Sequence, residues 1–173
     1  MIRAFVVAAL VGLWTYALVA WPDLPERIPT HFDLQGNADA WREPGFGSWF
    51  LLPTLATLLG GFTGLVLPPW VVGLARRNSS LLNVPQRERF RELPEPARVR
   101  AVASITRGVQ WLALTLVAMF GWILFAMERM AHGDWQTMPP FGLFGMVGLV
   151  LVQSIWLAIS SSRAVRRELE AAR

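Results

Sequence analysis

Residues 109–127 read VQWLALTLVAMFGWILFAM, and none of the side chains in this window carries a charge. The hydrocarbon core of a bilayer is about 30 Å thick, so a helix needs about 20 mostly apolar residues to cross it. Three further windows of similar length, 4–21, 49–74 and 141–160, also lack charged residues. The sequence therefore predicts an all-α membrane protein, in which residues 1–173 form a single membrane domain built as a bundle of four transmembrane helices.

Local signals predict how the first two helices begin or bend. The first window resembles a secretory signal, because Arg3 precedes an apolar run. However, the run is long and the small residues at 17–20 are poorly spaced for cleavage. We therefore expect a retained helix. Ser48 precedes the second window and is a residue type that caps helices. Pro68 and Pro69 lack the backbone N–H of a regular helix and clash with the preceding turn, so they predict a kink or break.

The distribution of arginine predicts the orientation of the helices. All 16 basic residues are Arg, and only Arg27, Arg42 and Arg129 lie outside the N-terminus, the segment 75–108 and the tail 161–173. Basic residues of short connections stay on the cytoplasmic side of a membrane. We therefore expect a multi-pass protein of the inner (plasma) membrane, with both termini cytoplasmic and residues 22–48 and 128–140 outside.

Composition argues against several functional classes. The chain has no Cys, which excludes disulfides, thiolate nucleophiles and Cys-ligated zinc. Topology already explains most of the arginines, so nucleic acid is not an expected partner. None of the four windows holds an ionisable residue of the kind that transporters and proton pumps use. Gln153 is the most polar residue within them, and we expect it to hydrogen-bond to a neighbouring helix.

Small residues predict where the helices pack closely. Lipid gives no hydrophobic drive for helix association, so membrane helices meet at small residues that let their backbones approach. We predict this helix-packing role for Gly60, Gly61, Gly64, Gly142, Gly145 and Gly148. The neighbours are expected to lie within the chain or, alternatively, in a homo-oligomer or another membrane protein. Most tryptophans of the windows are expected at the membrane interfaces.

The segment 22–48 is the most distinctive part of the sequence. Its prolines favour extended backbone in the residues that precede them, residues 30–34 suit a short strand, and Gly36-Asn37 signals a turn. Residues 22–47 carry a net charge of −3. We expect an ordered extracytoplasmic loop between helices 1 and 2.

The polar residues of this loop admit a structural and a chemical interpretation. His31, Asp33, Asp39 and Glu43 are residue types that bind zinc or manganese, and His31 and Asp39 are the metal-ligand candidates. Their spacing matches no metalloenzyme motif, and Thr30 adjoins His31 only in sequence. We favour turns stabilised by the carboxylates and a hydrogen bond from His31 within the loop, with no metal, no cofactor and no catalytic residue.

Two motifs give the chain a resemblance to a known family. The runs Ile28-Pro29-Thr30-His31-Phe32-Asp33 and Gly36-Asn37-Ala38-Asp39-Ala40-Trp41 contain a Pro-x-His-Phe motif and a Gly-x-x-Asp-x-Trp turn. This pattern resembles the domain of unknown function family 1648, which is similar to the N-terminal part of SdpI-type membrane proteins, the immunity and signalling partners of a bacterial secreted toxin. The inner segment Asn83-Val84-Pro85, with Phe90, Leu93-Pro94 and Arg98, also resembles the family, so the likeness spans residues 1–130.

Our leading hypothesis is a non-enzymatic membrane protein that binds or senses a ligand, a peptide toxin or an envelope partner through residues 22–48. One alternative is an accessory subunit that packs beside a transporter or envelope enzyme. The other is a metal-dependent membrane enzyme that uses His31. The candidate ligand- or partner-binding residues are Pro29, His31, Phe32, Asp33, Gly36, Asp39 and Trp41.

Overall fold

The computed structural model describes residues 1–172. As the sequence predicts, four helical segments are long and apolar enough to cross a membrane, and they run Ile2–Asp23, Leu51–Arg76, Glu95–Ala131 and Pro140–Ala171. Between the first two segments, β1 (Ile28–Phe32) and β2 (Ala38–Arg42) pair antiparallel as a hairpin. The protein is therefore mainly helical, with four candidate membrane spans and one small sheet.

The first two segments are not uniform α-helices. The first is α1 (Ile2–Ala20) followed by a short 3₁₀ turn. The second consists of α2 (Leu51–Ala56), a π-helix (Thr57–Val66) and α3 (Leu67–Arg76). The predicted break at the two prolines does not occur, because the π-helix continues directly into α3, whose first turn contains them. The irregular backbone instead comes just before them, as wider π-helical turns.

One prediction at the start of the second segment is wrong. Ser48 does not cap a helix, because its hydroxyl donates to the carbonyl oxygen of Glu43 at 2.8 Å and α2 begins only at Leu51. Trp49 is fully buried, and its indole N–H donates to the carbonyl oxygen of Ala17 at 2.9 Å. Trp49 therefore connects the start of the second segment to α1.

The third span lies within α5 (Glu95–Ala131), which is 37 residues long. The charge-free window 109–127 is only the later part of α5, because nothing in residues 95–108 interrupts the helix. α5 contacts α1, the second segment, β1 and α6, so it forms the centre of the bundle. Its Leu124 is fully buried and Val117 nearly so.

The last segment, α6 (Pro140–Ala171), packs mainly along α5. No residue in its most apolar window is buried, whereas 39% of the corresponding window in α5 is buried. α6 is thus attached to the bundle along one side only.

The glycines of the second segment lie close to neighbouring helices. A Cβ atom added to Gly60 would lie 2.5 Å from a methyl carbon of Val117, and one added to Gly64 would lie 3.0 Å from the Cβ of Ala113. Gly61 faces α1 at ordinary contact distance. These glycines let the π-helix approach the centre of α5.

The glycines of α6 divide into two kinds. A Cβ atom at Gly142 would lie 2.2 Å from the ring of Trp122, so this glycine packs against α5. At Gly145 and Gly148 the same atom would meet nothing within 4 Å among the described residues. Among residues 1–172, only the first of the three has a neighbour within this distance.

The opposite end of the bundle from the hairpin is closed by α4 (Arg87–Glu92) and by Arg98 of α5. The Arg98 side chain is buried and donates to the carbonyl oxygens of Ala75, Arg76 and Leu93. The last carbonyls of a helix lack partners within that helix. Arg98 therefore supplies the missing donors at the end of α3.

Candidate functional site

The hairpin brings two of the predicted site residues together. Thr30 in β1 and Asp39 in β2 have no residue opposite them, so each strand is irregular at this point. Such bulges twist the strands and redirect side chains. Here the Nδ1 atom of His31 lies 2.6 Å from Oδ1 of Asp39, and 69% and 50% of the two side chains are exposed.

Asp33 organises the turn of the hairpin. Its Oδ1 accepts the backbone N–H groups of Gln35 at 2.9 Å and Asn37 at 2.8 Å, and its Oδ2 accepts the Asn37 side-chain amide at 2.9 Å. These bonds, that of the Asn37 side chain foremost, hold the pKa of the Asp33 carboxyl below its usual range. Asp33 is thus used by the turn itself.

Gly36 is required by the same turn for two reasons. Its φ of +86° is strained for any residue with a side chain, and an added Cβ would lie 2.3 Å from the Met138 carbonyl oxygen. The Gly36 carbonyl oxygen accepts the Met138 backbone N–H at 2.8 Å. The turn of the hairpin is therefore attached to the connection between α5 and α6.

The hairpin rests on the helices through its first strand. Ile28 and Pro29 are fully buried, and Phe32 packs against apolar residues of the core. Trp41 on the second strand is 38% exposed, and its carbonyl oxygen accepts a hydrogen bond from Arg27 at 3.2 Å. Pro29 and Phe32 thus secure the hairpin, while Trp41 faces outward.

A cavity of about 570 Å³ lies between the hairpin and the helix ends. One wall is polar in part and comes from the hairpin and the residues after it, and the other wall is apolar and comes from α2, α5 and α6. The lining residues are Thr30, His31, Phe32, Ala40, Arg42, Gly47, Ser48, Leu51, Leu52, Ile123, Met127, Met138 and Leu143. Of the predicted site residues, only His31 and Phe32 line this cavity.

Arg42 is the charged group of this cavity that the sequence analysis did not single out. It is exposed and makes no salt bridge with any described residue. Ligand pockets are commonly apolar with a few convergent polar groups, and Arg binds carboxylates and phosphates well. Arg42 is positioned by its pairing with Ile28 in the strand register, which could not be read from the sequence.

The chemical alternatives find little support in the geometry of the hairpin. Among residues 1–172, no group of three or more His, Asp or Glu side chains is close enough to hold a metal ion. His31 and Asp39 contact each other, whereas Asp33 is occupied by the turn. The Thr30 hydroxyl donates to the Ala40 carbonyl oxygen at 3.4 Å instead of to His31, so it is not arranged as a nucleophile with an adjacent base.

A second histidine, His132, links α5 to the end of α1. Its Nδ1 lies 2.9 Å from the Glu128 carbonyl oxygen, and its Nε2 lies 3.0 Å from the Asp23 carbonyl oxygen. Both neighbours are acceptors, so the ring donates to both only when protonated. The Glu128 carbonyl foremost, and then the Asp23 carbonyl, raise the pKa of His132. The sequence shows Glu128 one helical turn before His132, but nothing in it indicates the contact with Asp23.

Comparison with known proteins identifies one related domain. Residues 8–57 match the family model described as domain of unknown function (DUF1648). The match begins within α1 and covers the hairpin and the beginning of the second segment, so it contains the His31 motif but not residues 83–98 or α6. No curated protein matches the chain. No solved structure matches it either.

Proposed function

We propose that this chain is a non-enzymatic membrane protein that binds an amphipathic ligand, such as a peptide toxin or a segment of an envelope partner, in the cavity beneath its hairpin. The observation that carries the proposal is the cavity's composition, in which Arg42 and His31 on one wall face Leu52, Ile123 and Met127 on the other.

The two walls suit the two parts of such a ligand. Arg42 makes no salt bridge within the described residues, so its guanidinium is free to pair with a carboxylate or phosphate. The wall formed by the helices offers apolar contact at about the level where the spans end. A ligand with an acidic group and an apolar segment would use both.

The direction of access follows from the arginine bias. We propose that the hairpin lies outside the cytoplasm, that both termini lie inside, and that the ligand arrives from the extracytoplasmic side. A secreted peptide toxin fits this description, in agreement with the resemblance to SdpI-type immunity proteins.

The ligand chemistry can be tested with matched probes on the full chain in lipid nanodiscs. The probes are N-dodecanoylglycine, which has a free carboxylate, and its methyl ester, which does not. We expect the acid to bind more tightly than the ester, and Arg42→Gln to remove this preference. The control is Arg27→Gln, because Arg27 donates to the Trp41 carbonyl and does not line the cavity. Equal binding of acid and ester by the unmodified protein would contradict the proposal.

The orientation can be tested with introduced cysteines, since the natural chain has none. Leu34 at the hairpin turn is 79% exposed and Leu81 in the inner connection is 74% exposed. We expect a membrane-impermeant maleimide to label Leu34→Cys in intact cells and Leu81→Cys only in opened cells. The reverse pattern would place the hairpin in the cytoplasm and remove the proposed route for the ligand.

A further inference from the structure

Two arginines without ion-pair partners lie near the end of α6 that is far from the hairpin. Arg163 and Arg166 are exposed and stand about one helical turn apart, so they are neighbours on the helix surface. Among residues 1–172, neither makes a salt bridge. Like charges on neighbouring turns of a helix repel each other, so an anion bound between them would stabilise this end of α6.

The carboxylates nearest to these arginines in the sequence do not neutralise them. Glu168 pairs instead with Arg100 of α5 at 2.8 Å. Glu170 follows Arg166 by four residues, but it makes no salt bridge with any residue that the structure describes. The charges of Arg163 and Arg166 are therefore available to a ligand from outside the chain.

Two cavities meet at Arg166. One of about 390 Å³ extends from it toward the apolar window of α6, and one of about 240 Å³ lies between α6 and the start of α4. The first is lined by Ala158, Ile159, Ser162, Arg163 and Arg166. The second is lined by Gln86, Arg89, Arg166, Leu169 and Glu170.

The first cavity continues into the membrane as an apolar surface. Ile159 and, one turn deeper, Ile155 are 47% and 62% exposed, and both belong to the charge-free window 141–160. A window of this length spans the hydrocarbon core. Arg163 and Arg166 follow the window directly and are therefore expected at the height of the lipid headgroups.

The second cavity is polar and contains a third arginine. Nη1 of Arg89 donates to Oε1 of Gln86 at 3.2 Å, which holds the guanidinium group beside this cavity. Arg89 makes no salt bridge among residues 1–172. A molecule that occupies both cavities therefore needs an apolar chain within the membrane and an anionic group at its surface.

We propose that the two cavities bind an anionic phospholipid. An acyl chain lies against Ile155 and Ile159, the phosphate lies between Arg163 and Arg166, and the rest of the headgroup extends toward Arg89. Arginine forms strong, charge-assisted hydrogen bonds with phosphate oxygens, and basic clusters that directly follow a membrane helix attract anionic lipids. An acidic soluble segment would pair with the arginines but would not use the apolar cavity.

Lipid binding can be measured by native mass spectrometry of the full chain in detergent, titrated with dioleoylphosphatidylglycerol or with zwitterionic dioleoylphosphatidylcholine. We expect the anionic lipid to bind more tightly. The double variant Arg163→Gln/Arg166→Gln should weaken its binding roughly tenfold to thirtyfold, since each Arg near an anionic headgroup contributes about fivefold. Binding of the zwitterionic lipid should change little. Arg163→Gln alone, with a loss of about fivefold, is the second variant in case the first does not accumulate.

The matched control is Arg76→Gln/Arg77→Gln. It removes the same charge from two exposed arginines at the same end of the bundle, and neither of them lines the two cavities. We expect this control to keep the preference for the anionic lipid. An equal loss in both double variants would assign the preference to general surface charge and overturn the proposal, as would equal binding of the two lipids by the unmodified protein.

Competition separates a lipid site from a site for soluble anions. We expect neither inorganic phosphate nor glycerophosphoglycerol, the headgroup without its acyl chains, to displace the bound lipid at an equal concentration. Displacement by either would show that the acyl chain contributes nothing and would overturn the proposal. The loss in Arg163→Gln/Arg166→Gln should persist in the Arg42→Gln background, where the hairpin cavity lacks its arginine. The lipid site and the hairpin site therefore fail separately.

Discussion

The third and fourth spans look alike in sequence but have different positions in the bundle. Their most apolar windows have nearly the same mean hydropathy, 1.9 for α5 and 2.0 for α6, but 39% of the first window and none of the second is buried. α5 contacts every other span, whereas α6 packs against α5 and touches α4 near its far end. Lipid and protein interior are similarly apolar, so hydropathy locates a span without indicating how many neighbours it has.

The largest effect is expected when the same substitution, Leu to Ala, is made in each of the two helices. Leu124 of α5 is fully buried, and Leu151 of α6 is 60% exposed. We expect Leu124→Ala to lower the free energy of unfolding by about 2–4 kcal/mol, because it leaves a cavity among packed side chains. Leu151→Ala should change it little, since lipid fills the space.

The measurement for this pair is reversible unfolding in mixed micelles, at dilutions where the chain is monomeric. Similar losses for the two variants would mean that α6 is as enclosed as α5 and would contradict the arrangement described above.

A smaller effect should distinguish the polar contacts of α5 with α3 from those with α6. Arg98 is buried and donates to two carbonyl oxygens at the end of α3 and to that of Leu93. Arg100 instead pairs with Glu168 of α6 at 2.8 Å, with 63% of its own side chain exposed. We expect Arg98→Ala to cost about 2 kcal/mol, since it leaves buried carbonyls without donors. Arg100→Ala should cost about 0–1 kcal/mol, as exposed ion pairs do. Equal losses of unfolding free energy for the two variants would show that the buried hydrogen bonds of Arg98 stabilise the fold no more than the exposed Arg100 ion pair.

The smallest effect concerns the contact of α5 with α1 at His132. The pKa of His132 is raised by the carbonyls of Glu128 and Asp23, and the carboxylates of Glu128 and Asp134 act in the same direction. Because the pKa of His132 is higher in the folded state than in the unfolded state, protonation of His132 stabilises the fold. This contribution is complete at a pH below the ordinary His pKa of about 6.5, and it is lost as the pH rises through the raised pKa.

We therefore expect hydrogen-exchange protection around Asp23 to decline as the pH rises from about 6 to 8, after correction for intrinsic exchange. His132→Gln should remove this pH dependence, and the exposed His31→Gln should not. An unchanged decline in His132→Gln would assign the effect to another group.

The spans could be predicted because the bilayer imposes a length and a lack of charge that are visible in the sequence. The turn at Gly36 could also be predicted, since glycine there supplies the positive φ. The continuation of the second segment past Pro68 could not, because it depends on π-helical turns that form against α5. The burial of Trp49 likewise depends on a carbonyl of α1 that is far away in the chain.

The candidate site was only partly visible in the sequence. The motif led to His31, Asp39 and Phe32, which the structure brings into the hairpin and its cavity. Arg42 was overlooked because it lies in no motif, and its position depends on strand register. Gln153 was expected to hydrogen-bond to a neighbouring helix, but no donor among the described residues reaches its Oε1 atom.

The hydrogen bond between Gly36 and Met138 has a consequence for how this protein can be altered. It joins two connections that are separated by about a hundred residues, and it leaves no room for a side chain at position 36. Insertions or deletions in either connection must preserve the spacing between these two peptide groups. A hairpin transferred from a relative will therefore pack correctly against the α5–α6 connection only if residues 132–139 are transferred with it.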